Sequence, residues 1–150
     1  MAVVEATDLV REYRLGEETV RALDGASLTI EGGQFVSVVG PSGAGKSTLL
    51  HVIGALDTPD SGRIVVDGVD LSTLGDDEAS TFRRHRVGFI FQFFNLVPTL
   101  SAWENVALPM LLDSRSMKKA KPRAVELMER VGLGHRINHR PTELSGGQMQ

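Results

Sequence analysis

The chain has 150 residues, of which 41% are hydrophobic and 23% charged, with a formal net charge of −3 and no cysteine. That length accommodates one domain with a core and leaves little room for two. The composition excludes a collagen-like, intrinsically disordered or disulfide-stapled chain, and the lack of Cys excludes thiolate catalysis and Cys-ligated zinc.

The N-terminal MAVVEATDLVREYR carries Glu5 and Asp8 where a secretory signal needs a basic start and an apolar core. The chain is therefore expected to stay in the compartment where it is made. Residues 3 to 39 read as β structure: Val3-Val4 opens an apolar segment, Ala26 to Ile30 alternates, and Glu31-Gly32-Gly33 is a turn. Phe35 to Val39 is a nearly continuous apolar run, as a strand buried on both faces would be. A helical pattern begins at Lys46 and fades around Gly54, before the turn-rich DTPDSG of 57–62. In RIVVDGVDL (63–71), Asp67-Gly68 sits between two apolar pairs, a hairpin signal because a type I′ turn needs positive φ at both central residues.

A short polar helix around Asp76 to Arg84 leads into VGFIFQ (87–92), a second candidate for a buried strand. Both apolar runs fall far short of the roughly 20 residues a membrane-spanning helix needs. Ser101-Ala-Trp-Glu104 has the pattern of a capping box opening a helix, which Pro109 then limits or kinks. Ala120, Ala124, Leu127, Met128 and Val131 recur at helical spacing up to Gly132. Trp103, Phe91, Phe93 and Phe94 are expected in the core rather than on a ligand. His51, His85, His135 and His139 show no metal-ligand spacing and read as surface or packing residues.

Charge is unevenly distributed. From Asp57 to Glu78 seven acids face Arg63 alone, whereas from Asp113 to Arg140 eight Lys or Arg accompany three acids. No aromatics interleave with those bases to stack on nucleotides, so the stretch reads as a solvated helix face and no nucleic-acid partner is expected.

Gly40-Pro41-Ser42-Gly43-Ala44-Gly45-Lys46-Ser47, followed by Thr48, matches G-x-x-x-x-G-K-[ST]. Glycines let such a loop wrap with its N–H groups inward, and the following helix presents its positive end. Lys46 supplies a mobile charge for β and γ phosphates, and Ser47 a hydroxyl for Mg2+. The alternative is a glycine-rich turn ahead of a helix, yet composition alone would produce the four specified positions in roughly one chain of this length in two hundred. The loop also follows an apolar run and opens a helix, as its mechanism demands. Kinases, GTPases, helicases and transport ATPases all use such a loop, so it does not choose among them.

Leu144-Ser145-Gly146-Gly147-Gln148 narrows that choice. It reads either as a capped loop with two flexible glycines or as a second anion site, formed by the Ser145 hydroxyl and the amides of Gly146 and Gly147 at a helix start. Two phosphate-facing surfaces about a hundred residues apart suit two subunits meeting head to tail around shared nucleotides.

With GPSGAGKST and LSGGQ together, the chain resembles the nucleotide-binding subunit of an ABC transporter. HVIGALDTPDSG (51–62), FIFQFFNLVPTLSAWENVALP (89–109) and RPTELSGGQ (140–148) are similar to the lipoprotein-release, macrolide-export and cell-division branch. The resemblance implies an α/β fold of P-loop NTPase type with an N-terminal antiparallel β subdomain and a helical subdomain. Its boundaries would be 1–92 for the β subdomain and P-loop core, 93–143 for the helical subdomain and 144–150 for the start of the signature helix. It further implies ATP and Mg2+ as cofactors, adenine stacking on Tyr13, Mg2+ and water sensing by Gln92, and contact of Ser145, Gly146, Gly147 and Gln148 with the nucleotide of a second subunit. The implied partners are that second copy and an integral-membrane permease with a large extracytoplasmic domain, at the cytoplasmic face of the plasma membrane.

The family also places an apolar strand ending in Asp-Glu after the signature, which this sequence does not contain. The chain is therefore expected to be the N-terminal two-thirds of an ATPase subunit. Two alternatives stand beside transport: an ABC ATPase serving no transporter, and an ATP-binding fragment without turnover.

Overall fold

Two long strands open the fold. In the computed structural model, which describes residues 1–150, β1 (Ala2–Leu15) and β2 (Glu18–Glu31) pair antiparallel across a tight turn. β3 (Ser61–Val66) joins the other edge of β1 and β4 (Val69–Asp70) joins β3, giving the sheet order β2-β1-β3-β4. The expected hairpin at Asp67-Gly68 is present, with φ of 49° and 76°, both positive as its turn type requires.

Burial along β1 shows how this sheet is phased. Val4 and Ala6 face the core, and so does Leu9, which breaks the two-residue period of a regular strand. Asp8 absorbs the additional residue: its φ is 49°, and the register slips beside it against both β2 and β3. Such a bulge reverses which side chains face inward beyond it, so that Leu9, Arg11 and Tyr13 share one face. Ser27 secures it by accepting the Asp8 N–H at 2.8 Å.

Helix α1 (Lys46–Ile53) begins where the sequence pattern places it, and α2 (Asp76–Arg86) extends slightly beyond the expected polar helix. Their buried residues Val52 and Phe82 join Leu9, Ile64 and Val66 in one core. Leu9, Val52 and Ile64 are completely buried, each contributing about 1.5–3 kcal/mol relative to exposure.

The chain divides into two compact units, Met1–Phe89 and Ile90–Gln150. The second is built on α3 (Ala102–Leu112) and α4 (Met117–Arg130). Ala107, Ala120 and Ala124 are fully buried in its core, where Trp103 and Met128 fill the remaining space. The Ser101–Glu104 capping box forms, with Glu104 accepting the Ser101 N–H at 2.8 Å. The next amides, of Ala102 and Trp103, are satisfied by the carbonyls of His139 and Ile137. At the far end of α4, Gly132 takes φ 77°, while Leu133 N–H reaches Met128 O at 2.8 Å and Gly132 N–H reaches Glu129 O at 3.0 Å. Those two bonds define a Schellman cap and explain why the helix stops there. A last short helix, α5 (Gly146–Met149), follows Ser145.

Three expectations fail. Neither Phe35–Val39 nor Val87–Gln92 is a strand, and Phe35, Val39 and Ile90 are exposed. A strand buried on both faces needs hydrogen-bonding neighbours on both sides, and no segment of the sheet pairs with either run. For the same reason Phe91 and Phe93 are exposed rather than in the core, with Phe94 partly buried, whereas Trp103 is buried as expected. Pro109, expected to limit or kink α3, lies in its last turn, and the helix stops at Leu112. There it forfeits only the bond to Asn105 O, and its own carbonyl still accepts from Asp113 N–H.

Candidate nucleotide-binding site

The loop of residues 40–45 precedes α1 and depends on glycine for its path. Gly43 and Gly45 take φ of 81° and 76°, in the left-handed region where a side chain is strained. Gly45 also has no room for one: a Cβ there would stand 2.1 Å from the Ala22 carbonyl oxygen. Ala22 is the residue of β2 left without a partner between the pairs Arg21–Glu12 and Leu23–Arg11. An irregularity in the hairpin therefore sets the position of the loop.

Lys46 closes that loop. Its Nζ donates to the carbonyls of Gly40 at 2.9 Å and Pro41 at 2.6 Å, and Ala44 N–H donates to Pro41 O at 3.3 Å. Gly45 caps α1 without a side-chain hydrogen bond, and no acid occupies the first turn. The leading amides of α1 thus keep their donor capacity and the positive end of the helix uncompensated. Ser42 and Ser47 are exposed. Amide donors, one ammonium group and a free hydroxyl at one helix start suit an anion with several oxygens together with a hard cation.

Tyr13 lies on β1 in the same unit and is held at both its edge and its face. Its hydroxyl donates to Asp57 Oδ2 at 2.5 Å, and the Arg11 guanidinium lies over the ring, 4.9 Å from the centroid. Arg11 binds Asp57 through Nε at 3.0 Å and through its second terminal nitrogen at 2.7 Å, and reaches Asp60 at 2.9 Å. Asp60 in turn accepts the Glu12 N–H at 2.7 Å. Burial opposes charge on Asp57, yet hydrogen bonds from Tyr13, the Thr58 N–H and Arg11 prevail and hold its carboxyl below the usual carboxylate range. Arg11, correspondingly, loses something to burial and is held above its ordinary value by Tyr13 and Asp57.

The remaining expected site residues belong to the second unit. Gln92 is exposed at a bend, not at a strand end. Nearby, Asn105 ties down the following segment: its Oδ1 accepts Val97 N–H at 2.8 Å and its amide donates to the carbonyls of Val97, Leu100 and Ser101. Ser145, Gly146 and Gly147 are exposed at the start of α5, with open space around both glycines, and Gln148 Oε1 accepts the Ser145 N–H at 3.0 Å.

Sequence reasoning overlooked Arg11, Asp57 and Asp60. Arg11 and Tyr13 are two apart on a strand, which places them on one face, but nothing local joins them to an acid 44 residues further on. The run DTPDSG reads as a turn, which conceals the fact that two of its acids are aimed back at β1.

The ABC transporter family model matches residues 23–150. An ABC transporter ATP-binding protein of Thermotoga maritima is 48% identical over 148 residues, 99% of this chain and 63% of that protein. The lipoprotein-releasing system ATP-binding protein LolD of Xanthomonas oryzae pv. oryzae is 45% identical over 99% of this chain and 61% of its own length. The macrolide export ATP-binding/permease protein MacB of Hyphomonas neptunium is 45% identical, with 23% of its length covered. Among solved structures, an ATP-binding cassette dimer in a post-hydrolysis state with ADP and Pi superposes with a TM-score of 0.88 at 42% identity, over 97% of this chain and 65% of that one.

The chain belongs to the ABC transporter family as an ATP-binding cassette, with the α/β fold of such cassettes. It spans about three-fifths of the length of its LolD relative.

Proposed function

We propose that the chain supplies the ATP-binding site of an export or lipoprotein-release system, working head to tail with a second copy to drive a separate membrane permease. The observation that carries the reading is the loop at Gly40–Gly45: left-handed glycines, uncapped α1 amides, and Lys46 held across its mouth by two carbonyls. These groups fit a nucleoside triphosphate. The amides of Ser42 to Thr48 would face its phosphates, Lys46 would move its charge from carbonyls to phosphate oxygen, and the Ser47 hydroxyl would hold Mg2+. Mg2+ would supply neutralisation of the phosphate charge there.

Tyr13 would stack on adenine. Ser145, Gly146, Gly147 and Gln148 would face the nucleotide held by the second copy, as the dimeric state of the solved cassette with ADP and Pi supports. The names of the LolD and MacB relatives, a lipoprotein-releasing system ATP-binding protein and an export ATP-binding/permease protein, support a permease partner; in this proposal that permease bears a large extracytoplasmic domain and the chain works at the cytoplasmic face of the plasma membrane.

Lys46→Ala should weaken ATP binding about 100-fold in a nucleotide titration, because a charge-assisted contact to phosphate is lost. Unchanged affinity would overturn the site. A second reading, nucleotide binding without turnover, is favoured by the fate of the adjacent acids Asp76, Asp77 and Glu78: they occupy the first turn of α2, where Glu78 accepts the Gly75 N–H. Phosphate release that disappears in Lys46→Ala would decide for turnover.

A further inference from the structure

The geometry points to Asp57, backed by Arg11, as the positioning pair that presents Tyr13 to the base of a bound nucleotide, with α1 setting the separation between base and phosphates. The inference rests on the proposed nucleotide site and identifies residues of it that no motif contains.

Three observations converge. First, α1 joins the two ends of the site. Its N-terminus is the phosphate loop, and just past its C-terminus the amides of Leu56 and Asp57 both return to His51 O, at 2.8 and 3.2 Å. Asp57 is thereby fastened to the helix that starts at Lys46, and eight residues of helix span about 12 Å. Second, Asp57 is spent on β1: it takes the Tyr13 hydroxyl and two contacts from Arg11, while Asp60 takes a third guanidinium contact and the Glu12 amide. Third, Arg11 covers one face of the Tyr13 ring. A ring pinned at its hydroxyl and backed on one face retains a single orientation, with the other face for stacking.

The sheet register supports the distance. Leu23, whose side chain would meet a Cβ on Gly45 at 3.4 Å, pairs with Arg11. Tyr13 lies two residues further along β1, so that its Cα is on the order of 10 Å from the loop. That separation is comparable with the reach from a purine to its terminal phosphates. Pre-orienting the ring removes an ordering cost that binding would otherwise incur, and a cationic group behind an aromatic ring also polarises it.

The test uses the 150-residue chain and two probes, ATP and inorganic tripolyphosphate, the second lacking a base. Tyr13→Phe and Asp57→Ala should each weaken ATP about tenfold, the scale of one charge-assisted hydrogen bond, and leave tripolyphosphate affinity unchanged. Because Asp57→Ala already removes the bond lost in Tyr13→Phe, the double variant should lose no more than Asp57→Ala alone. Tyr13 is the only tyrosine, so 3-fluorotyrosine labelling yields one 19F resonance, expected to shift and broaden in Asp57→Ala before any ligand is added. Equal weakening of ATP and tripolyphosphate, additive losses, or an unmoved 19F resonance would each overturn the positioning role. A wild-type chain that binds neither probe would overturn the nucleotide site itself, and the 19F spectrum would still decide whether Asp57 orients the ring.

Discussion

At the scale of single residues, the site rests on positions where only one side chain fits. Gly45 combines a positive φ with contact against the Ala22 carbonyl, so Gly45→Ala must both strain the backbone and displace the loop from β2. The expected cost is about 2–4 kcal/mol in urea denaturation, together with loss of ATP binding; wild-type stability in the variant would refute the close approach. Asp57 makes a different prediction. Its folded carboxyl titrates below the unfolded value of about 3.9, so its contribution to stability is present above that value and is lost as pH falls through the folded pKa. The stability difference between pH 5 and pH 3 should therefore shrink in Asp57→Asn. Urea midpoints at the two pH values test this, and an undiminished difference would show that other carboxylates carry the acid sensitivity. Asp70, held low chiefly by Arg63, and Glu104, held low chiefly by the Ser101 hydroxyl, retain their share in that variant.

At the scale of elements, each helix is delimited by chemistry legible in the chain: the capping box at Ser101–Glu104, the acids at the start of α2 and Gly132 after α4. Propensity alone would not hold these short helices in water. In the second unit the small residues Ala107, Ala120 and Ala124 admit close approach of α3 and α4. Ala124→Leu inserts a branched side chain where no exposed surface remains, and should cost about 1–3 kcal/mol. Helical circular dichroism during urea titration would register the loss, and a neutral result would mean that the two helices can spread at no cost. Pro109 shows the limit of local rules: a proline interrupts a helix midway but is tolerated in the last turn, and chain order does not reveal where that turn falls.

At the scale of the whole molecule, the two units bury separate cores, and each leaves a long apolar run uncovered. Phe35 and Val39 are 97% and 86% exposed in the first unit, and Ile90 and Phe93 are 91% and 78% exposed in the second. Surfaces of this kind associate. The chain should bind a hydrophobic dye and scatter light increasingly with concentration, and Phe35→Ser combined with Ile90→Ser should reduce both. Dye fluorescence unaffected by the pair would place the sticky surface elsewhere. No helix is long and apolar enough to cross a membrane.

The sequence by itself determined the glycine loop of residues 40–45, its helix, the Asp67-Gly68 hairpin and the caps, because each depends on a few neighbouring residues whose conformational preferences are intrinsic. It also identified the family through motifs that are short and contiguous. Only the tertiary structure decided the fate of Phe35–Val39 and Val87–Gln92, since an apolar run becomes a buried strand when other strands pair with it. The bulge at Asp8 likewise escapes a periodicity count, although it reverses the parity of β1 and turns Arg11 and Tyr13 toward Asp57. That contact links residues 44 apart, and it forms because a bulged strand and the C-terminus of α1 converge in space, a meeting no local preference encodes.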